Sequence, residues 1–224
     1  MLVVGFPAGP FGTNCWIVAP GSGEQCVVID PGVEAEGPLD DVLAEYRLQP
    51  VAVLLTHGHL DHMFSVTPVC GAKDVPALIH PADRPMLTDP AMGLGVPPGT
   101  PIFGRLSFAE PDDVRELVDG ETLELAGLSL RVDATPGHTE GSVTFLGGGE
   151  LFSGDLLFAG SIGRTDLPGG SWEQMQRSLA FPLTLPDETV VRPGHGPDTT
   201  IGRERLTNPF LVDLAAQSPV RRGL

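Results

Sequence analysis

Apolar residues fall along the chain in short runs, most of them four or five positions long and bounded by Gly or Pro. Leu2 to Phe6, Asn14 to Val18 and Cys26 to Ile29 predict three consecutive strands. The period then changes: Leu39, Val42, Leu43 and Tyr46 recur at helical spacing, which predicts a helix over Pro38 to Arg47. Pro50 introduces Val51 to Leu55, an apolar run of strand length expected to be buried on both faces. Asp61 stands where it could cap a helix from His62 toward Cys70, and Val75 to Ile79 reads as the next strand. Residues 88 to 112 break this order with Pro90, Gly93, Gly95, Pro97, Pro98, Gly99, Pro101 and Pro111, among which Met92, Leu94, Ile102 and Phe103 are scattered. Such a stretch reads as a long surface loop able to act as a lid, with no domain boundary implied. Strands resume at Thr122 to Leu125, Leu128 to Val132, Ser142 to Leu146 and Leu151 to Ser153, predicting a second sheet. Trp172 to Ala180 is helical, Thr189 to Arg192 a last strand, and Ile201 onward a terminal helix interrupted at Pro209. The expected class is α/β (α+β) in two similar layers, one domain over residues 1–224.

Composition narrows what such a fold can do. The chain has 224 residues, 41% of them hydrophobic, enough for a buried core and an enzyme in one piece. Its formal charge of -16 would repel a nucleic-acid backbone or an anionic membrane surface, so neither is an expected partner. No run approaches the roughly 20 apolar residues of a membrane span, and Met1 to Pro10 lacks the basic start and apolar stretch of a secretory leader. The expected location is the cytoplasm. Cys15, Cys26 and Cys70 have neither the spacing nor the even number of a disulfide or zinc framework, and read as small buried thiols.

The histidines carry the chemistry. Three of six lie in Thr56-His57-Gly58-His59-Leu60-Asp61-His62, directly after the doubly buried strand. By chance an H-x-H-x-D-H string would arise in about one such chain in a few thousand, so ordinary surface histidines are a poor explanation. His138 and His195 each end a Pro-Gly-His turn just past a strand, where Pro fixes φ and Gly permits an unusual one, so each imidazole can be aimed rigidly. Asp155 follows another strand. Five imidazoles and two carboxylates at strand ends can hold two divalent cations with one carboxylate between them. His57 and His59, two apart, can face one ion while Asp61 and His62 turn toward a second. Paired cations lower the pKa of a shared water and polarise a carbonyl, so metal-assisted hydrolysis is the natural chemistry. The sixth histidine, His80, reads as structural.

These residues resemble the metallo-β-lactamase superfamily, specifically its glyoxalase II-like hydrolases, from Leu2 to about Arg205. The resemblance implies an αββα sandwich with the metals at one edge, His57, His59 and His138 on metal 1, Asp61, His62 and His195 on metal 2, and Asp155 bridging. The cofactor implied is two divalent ions, zinc first, with iron and manganese also suited to these ligands. Superfamily electron-transfer proteins carry Glu where His59 stands, and true β-lactamases carry Cys near Asp155; neither change is present. Nucleases of the superfamily present basic surfaces, at odds with the charge here.

Gly160 to Asp166 is similar to both small glyoxalase II enzymes and persulfide dioxygenases, and Arg164 stands where the former place a base for the carboxylate of a thiol carrier. An ion pair with Asp166 is the structural alternative for Arg164. Only 29 residues follow His195, so the helical C-terminal domain of full-length glyoxalase II is not expected. The resulting expectation is a hydrolase of a small 2-hydroxyacyl thioester, with Asp61 orienting the attacking hydroxide and taking its proton. The rival is a mononuclear iron persulfide dioxygenase using His57, His59 and Asp155, alone or with His138. Those oxygenases show Asp after the last histidine, where this chain has Gly196.

Overall fold

The computed structural model describes residues 1–97, 99–102 and 108–217. Among the described residues twelve strands form two six-stranded sheets. The first contains β1 (Leu2–Ala8), β2 (Thr13–Ala19), β3 (Gln25–Ile29), β4 (Gln49–Leu54), β5 (Ala77–Ile79) and β6 (Val114–Glu116), in that order. The second runs β12 (Thr199–Thr200), β11 (Val190–Pro193), β10 (Glu150–Gly154), β9 (Val143–Gly147), β8 (Leu128–Ala134) and β7 (Thr122–Leu125). Both sheets are mixed: β1 to β3 pair antiparallel and β3 to β6 parallel, while β10 and β11 form the parallel step of the second sheet.

The strand period of two decides the layering. On β2, Cys15, Ile17 and Ala19 face one core and Trp16 and Val18 another; β3 and β4 divide in the same way, with Val28 and Val53 on one face and Val27, Ile29, Ala52 and Leu54 on the other. The inner faces meet Leu130, Val132, Phe145 and Phe152 of the second sheet, forming the middle of a sandwich. Outside the first sheet lie α1 (Glu36–Tyr46) and α3 (Val66–Lys73), through Leu39, Leu43, Val66 and Val69. Outside the second lie α5 (Trp172–Ser178), α6 (Ile201–Thr207) and α7 (Pro209–Gln217), through Met175, Ile201 and Leu211. The αββα sandwich expected from the sequence is the architecture found. Ala52 to Leu55 are fully buried, as a strand covered on both faces requires, and the three cysteines are buried and free.

Several local readings change. Asp61 is not a cap. It lies inside the short α2 (Leu60–Met63), whose N-cap is His59, and its side chain turns away from the helix backbone toward other groups. The helix toward Cys70 is broken by the Phe64–Ser65 junction before α3. The 88–112 stretch is only partly a loop: α4 (Ala91–Leu94) forms within it, with Ala91 and Gly93 buried, while Pro98 and residues 103–107, Phe103 included, lie outside the described residues. Strands β6 and β12, three and two residues long, were too short to show a period. Among the described residues no helix is long and apolar enough to cross a membrane.

The topology brings one edge of each sheet together. The chain leaves β3, β4, β5, β8, β10 and β11 at this edge, and β2 begins there. Main-chain hydrogen bonds stitch the sheets at the same place: Val143 N–H donates to the Thr56 carbonyl (2.8 Å) and Asn14 N–H to the Gly194 carbonyl (2.7 Å).

Candidate metal centre

Every histidine and carboxylate singled out as a ligand arrives at this edge. His57 and His59 follow β4, Asp61 and His62 open α2, and His138, Asp155 and His195 follow β8, β10 and β11. Their ligand atoms form three groups, each with members within 4.8 Å of one another: His57, His59 and His138; His57, His62 and Asp155; and Asp61, His62 and His195. The middle group joins the outer two. His59 Nδ1 lies 2.8 Å from His138 Nε2, and His62 Nε2 lies 3.4 Å from His195 Nε2. Asp155 spans them, with Oδ1 3.3 Å from His62 Nε2 and Oδ2 3.3 Å from His138 Nε2 and 3.7 Å from His195 Nε2. His80 stays apart, its Nδ1 accepting from the Ala82 N–H.

Hydrogen bonds on the far side of the rings fix which nitrogen faces inward. His138 Nδ1 donates to the Arg164 carbonyl at 2.7 Å, leaving Nε2 for the centre. His62 Nδ1 donates to Asp30 Oδ2 at 2.9 Å. Thr56 Oγ1 donates to the same oxygen at 2.6 Å, so it must accept from His57 Nδ1 at 3.0 Å, which again leaves Nε2 inward. Asp30 therefore orients two imidazoles, one directly and one through Thr56.

Sequence reading passed over Asp30, although Ile29-Asp30-Pro31-Gly32 has the same form as the two Pro-Gly-His turns, a polar side chain beside Pro-Gly at a strand end. Thr13 and Asn14 were also missed. Thr13 Oγ1 donates to Asp61 Oδ2 at 2.9 Å, and the Asn14 amide donates to the Pro193 and Gly196 carbonyls, clasping the turn that carries His195.

The two Pro-Gly-His turns need glycine for different reasons. Gly137 has φ +142°, a conformation that disfavours side chains, and packs on the backbone of Met175 in α5. Gly194 has ordinary φ, but a Cβ there would stand 2.3 Å from Asp155 Oδ1 and 2.7 Å from His62 Cε1. Gly93 of α4 serves the other side, where a Cβ would stand 2.7 Å from His59 Cδ2. Part of the expected surface loop is thus a wall of the centre. A cavity of about 210 Å³ opens beside it, lined by Met86, Met92, Gly93, Thr139, Glu140 and Pro168 among others.

Charge divides the centre. Burial, reinforced by the nearby imidazoles, pushes His57 down and holds His59 at about 4. Burial works in the same direction on His62 and His195, yet Asp155, Asp61 and Asp30 raise His62, and the hydrogen bond to Asp61 raises His195. Asp61 and Asp155 are held below the usual carboxylate range by these histidines, against their own burial. His57 Nε2 and Asp155 Oδ1 are buried without a hydrogen-bond partner. Buried lone pairs without a partner, in a set of imidazoles and carboxylates, suit divalent cations.

Arg164 is elsewhere. Its guanidinium is exposed and pairs with Asp166 through two bonds, of 2.7 and 2.8 Å, and only its backbone carbonyl reaches the centre.

The sequence profile described as the Metallo-beta-lactamase superfamily matches residues 8–195. The chain belongs to that family. It is 49% identical over 219 residues to the uncharacterized protein ML0493 of Mycobacterium leprae, covering 96% of this chain and 100% of that one. It is 33% identical over 217 residues to the hydroxyacylglutathione hydrolase GloC of Haemophilus influenzae, covering 92% and 95%. Among solved structures, the BLEG-1 B3 metallo-beta-lactamase superposes with a TM-score of 0.83 at 38% identity, covering 94% and 99% of the two chains. TTHA1623 in a di-iron-bound form gives 0.77 at 40% identity, covering 93% and 100%.

Proposed function

We propose that this protein is a metal-dependent hydrolase of small 2-hydroxyacyl thioesters. The observation that carries the reading is the convergence of two ligand triads, His57–His59–His138 and Asp61–His62–His195, on the shared carboxylate of Asp155. Zinc is the first choice of metal, with iron next because the di-iron relative is 40% identical. Two cations bound there would supply a strong nucleophile from water at neutral pH and polarise a carbonyl.

The chain's own groups do the rest. Asp61 Oδ2, held by Thr13 and lying 3.1 Å from His195 Nε2, is placed to orient the attacking water and to take its proton. Burial of the three-histidine side excludes solvent from the carbonyl, and the cavity lined by Met86, Met92 and Pro168 gives room for the acyl or carrier group. A leaving thiolate with a pKa of about 8.5 departs without a strong general acid, which suits a centre built of ligand side chains. The likeness to GloC supports this substrate class.

Arg164 is proposed as a contact for an anionic carrier, reached by exchange of its partner Asp166. Arg164→Ala is then expected to raise KM for an anionic thioester several-fold with kcat retained; an unmoved KM would assign the pair to the loop alone.

The decisive assay loads the protein with zinc or iron and offers a lactoyl thioester, a β-lactam, and a persulfide with dioxygen. Thioester cleavage with the other two untouched is expected. Oxygen consumption with one iron per chain and intact thioesters would overturn the reading in favour of a persulfide dioxygenase.

A further inference from the structure

Asp83 is fully buried, makes none of the contacts described above, and carried no mark in the sequence. It lies after β5, at the start of the turn formed by residues 84–87. Its Oδ2 accepts from the Gly58 N–H at 2.8 Å and from Thr139 Oγ1 at 2.6 Å, and its Oδ1 accepts from the Gly141 N–H at 2.8 Å. Gly58 stands between His57 and His59, and Thr139 and Gly141 follow His138. One carboxylate therefore ties together the two loops that deliver the three imidazoles.

The packing is built around it. A Cβ on Gly141 would stand 2.5 Å from Asp83 Cγ, and one on Gly58 would stand 2.8 Å from the Asp83 carbonyl. Both loops approach closely because those two positions have no side chain. The two buried aspartates serve the centre differently: Asp30 reaches His62 of one outer group directly and His57 of the other through Thr56, whereas Asp83 acts only through the backbone and hydroxyl of the loops that carry His57, His59 and His138.

We propose that Asp83 is a positioning residue that sets the affinity of the His57–His59–His138 group for its cation, separately from the Asp61–His62–His195 group. The inference rests on the metal-centre reading above. A carboxylate only accepts hydrogen bonds, and all three partners donate. In Asp83→Asn the amide nitrogen must face one of those donors, so two loops that were drawn together are pushed apart.

The test uses the full chain, stripped with a chelator and titrated with Zn²⁺ by calorimetry, with Co²⁺ absorption as a second record of ligand geometry. In the wild type, two binding events are expected. Asp83→Asn should weaken one of them about 10- to 100-fold and leave the other within about threefold, the range seen when groups that orient metal ligands are removed. Placed in a His195→Asn background, the same substitution should weaken the event that remains.

Thr139→Val, close in shape and able to fold where Asp83→Asn does not, should weaken the same event less, and Thr139→Ser should restore it. Two events unmoved in both Asp83→Asn and Thr139→Val, or both weakened equally, would overturn this role alone. A wild-type chain that takes up no Zn²⁺ would instead overturn the metal reading on which it rests.

Discussion

The two halves of the centre are built from similar ligands and behave differently. His57, His59 and His138 are nearly inaccessible, their rings braced from behind by Thr56, by the Arg164 carbonyl and by the loops that Asp83 joins. Asp61 and His195 keep 23% and 29% of their side chains exposed, so the second half meets solvent. Burial keeps His57 and His59 of the closed half neutral, whereas in the open half the surrounding carboxylates together outweigh the same burial and favour charged His62 and His195. The difference teaches that similar side chains are shielded from water in one half and left in contact with it in the other.

Asp155→Ala attacks the link between the halves and should have the largest effect. Metal content is expected to fall below two per chain and thioester turnover by on the order of 10³-fold or more, measured by metal analysis and steady-state kinetics. Two metals retained at full activity would deny Asp155 its shared role.

A pair of glycine substitutions separates the halves. Gly93→Ala pushes a methyl into His59 and should weaken one metal-binding event, whereas Gly194→Ala pushes one into both Asp155 and His62 and should weaken two. Losses of about 100-fold in affinity are expected by analogy with other disturbances of ligand orientation. Identical profiles for the two variants would erase the distinction. Thr13→Val is milder: Asp61 keeps its place in α2 but loses one donor, and turnover is expected to drop about tenfold with metal content unchanged.

A further contrast concerns the acid stability of the metal-free protein. His59 titrates near 4 when folded and near its ordinary 6.5 when unfolded, so between those values the unfolded chain binds more protons. Stability is therefore lost as pH falls through that window, on the order of 3 kcal/mol from this residue. His195 has the opposite sign: its raised value stabilises the fold below pH 6.5, and that contribution fades as pH rises. In chelator, His59→Asn should flatten the acid limb of a Tm-against-pH curve, and His195→Asn should steepen it. Parallel curves would contradict the opposed electrostatics.

Much of this was legible beforehand, and the reason differs by element. Strands β2 to β4 were visible because both faces are apolar and their ends carry Gly or Pro, and the ligands because H-x-H-x-D-H and the two Pro-Gly-His turns compress metal chemistry into local patterns. Thr13, Asn14 and Asp83 act over separations of 48, 179 and 56 residues, on Asp61, Pro193 and Thr139 respectively, and no local pattern records such contacts. For Asp61 only the cap reading failed: an Asp before a helical stretch reads as a cap, but its carboxylate lies with His62 and His195, as its other reading expected. Gly93 was read as a loop breaker when its missing side chain is what lets α4 lie against His59.

The clasp between Asn14 and the Pro193–Gly196 turn has a consequence for how the protein is made. A ribosome releasing this chain sets free the first sheet early, but the opening hairpin must wait for nearly two hundred residues before its amide finds those carbonyls. Pairings of such long sequence separation form late and slowly. A nascent chain stalled before His195 would expose the earlier histidines without the closing turn, able to scavenge a metal ion but not to hold it in working order.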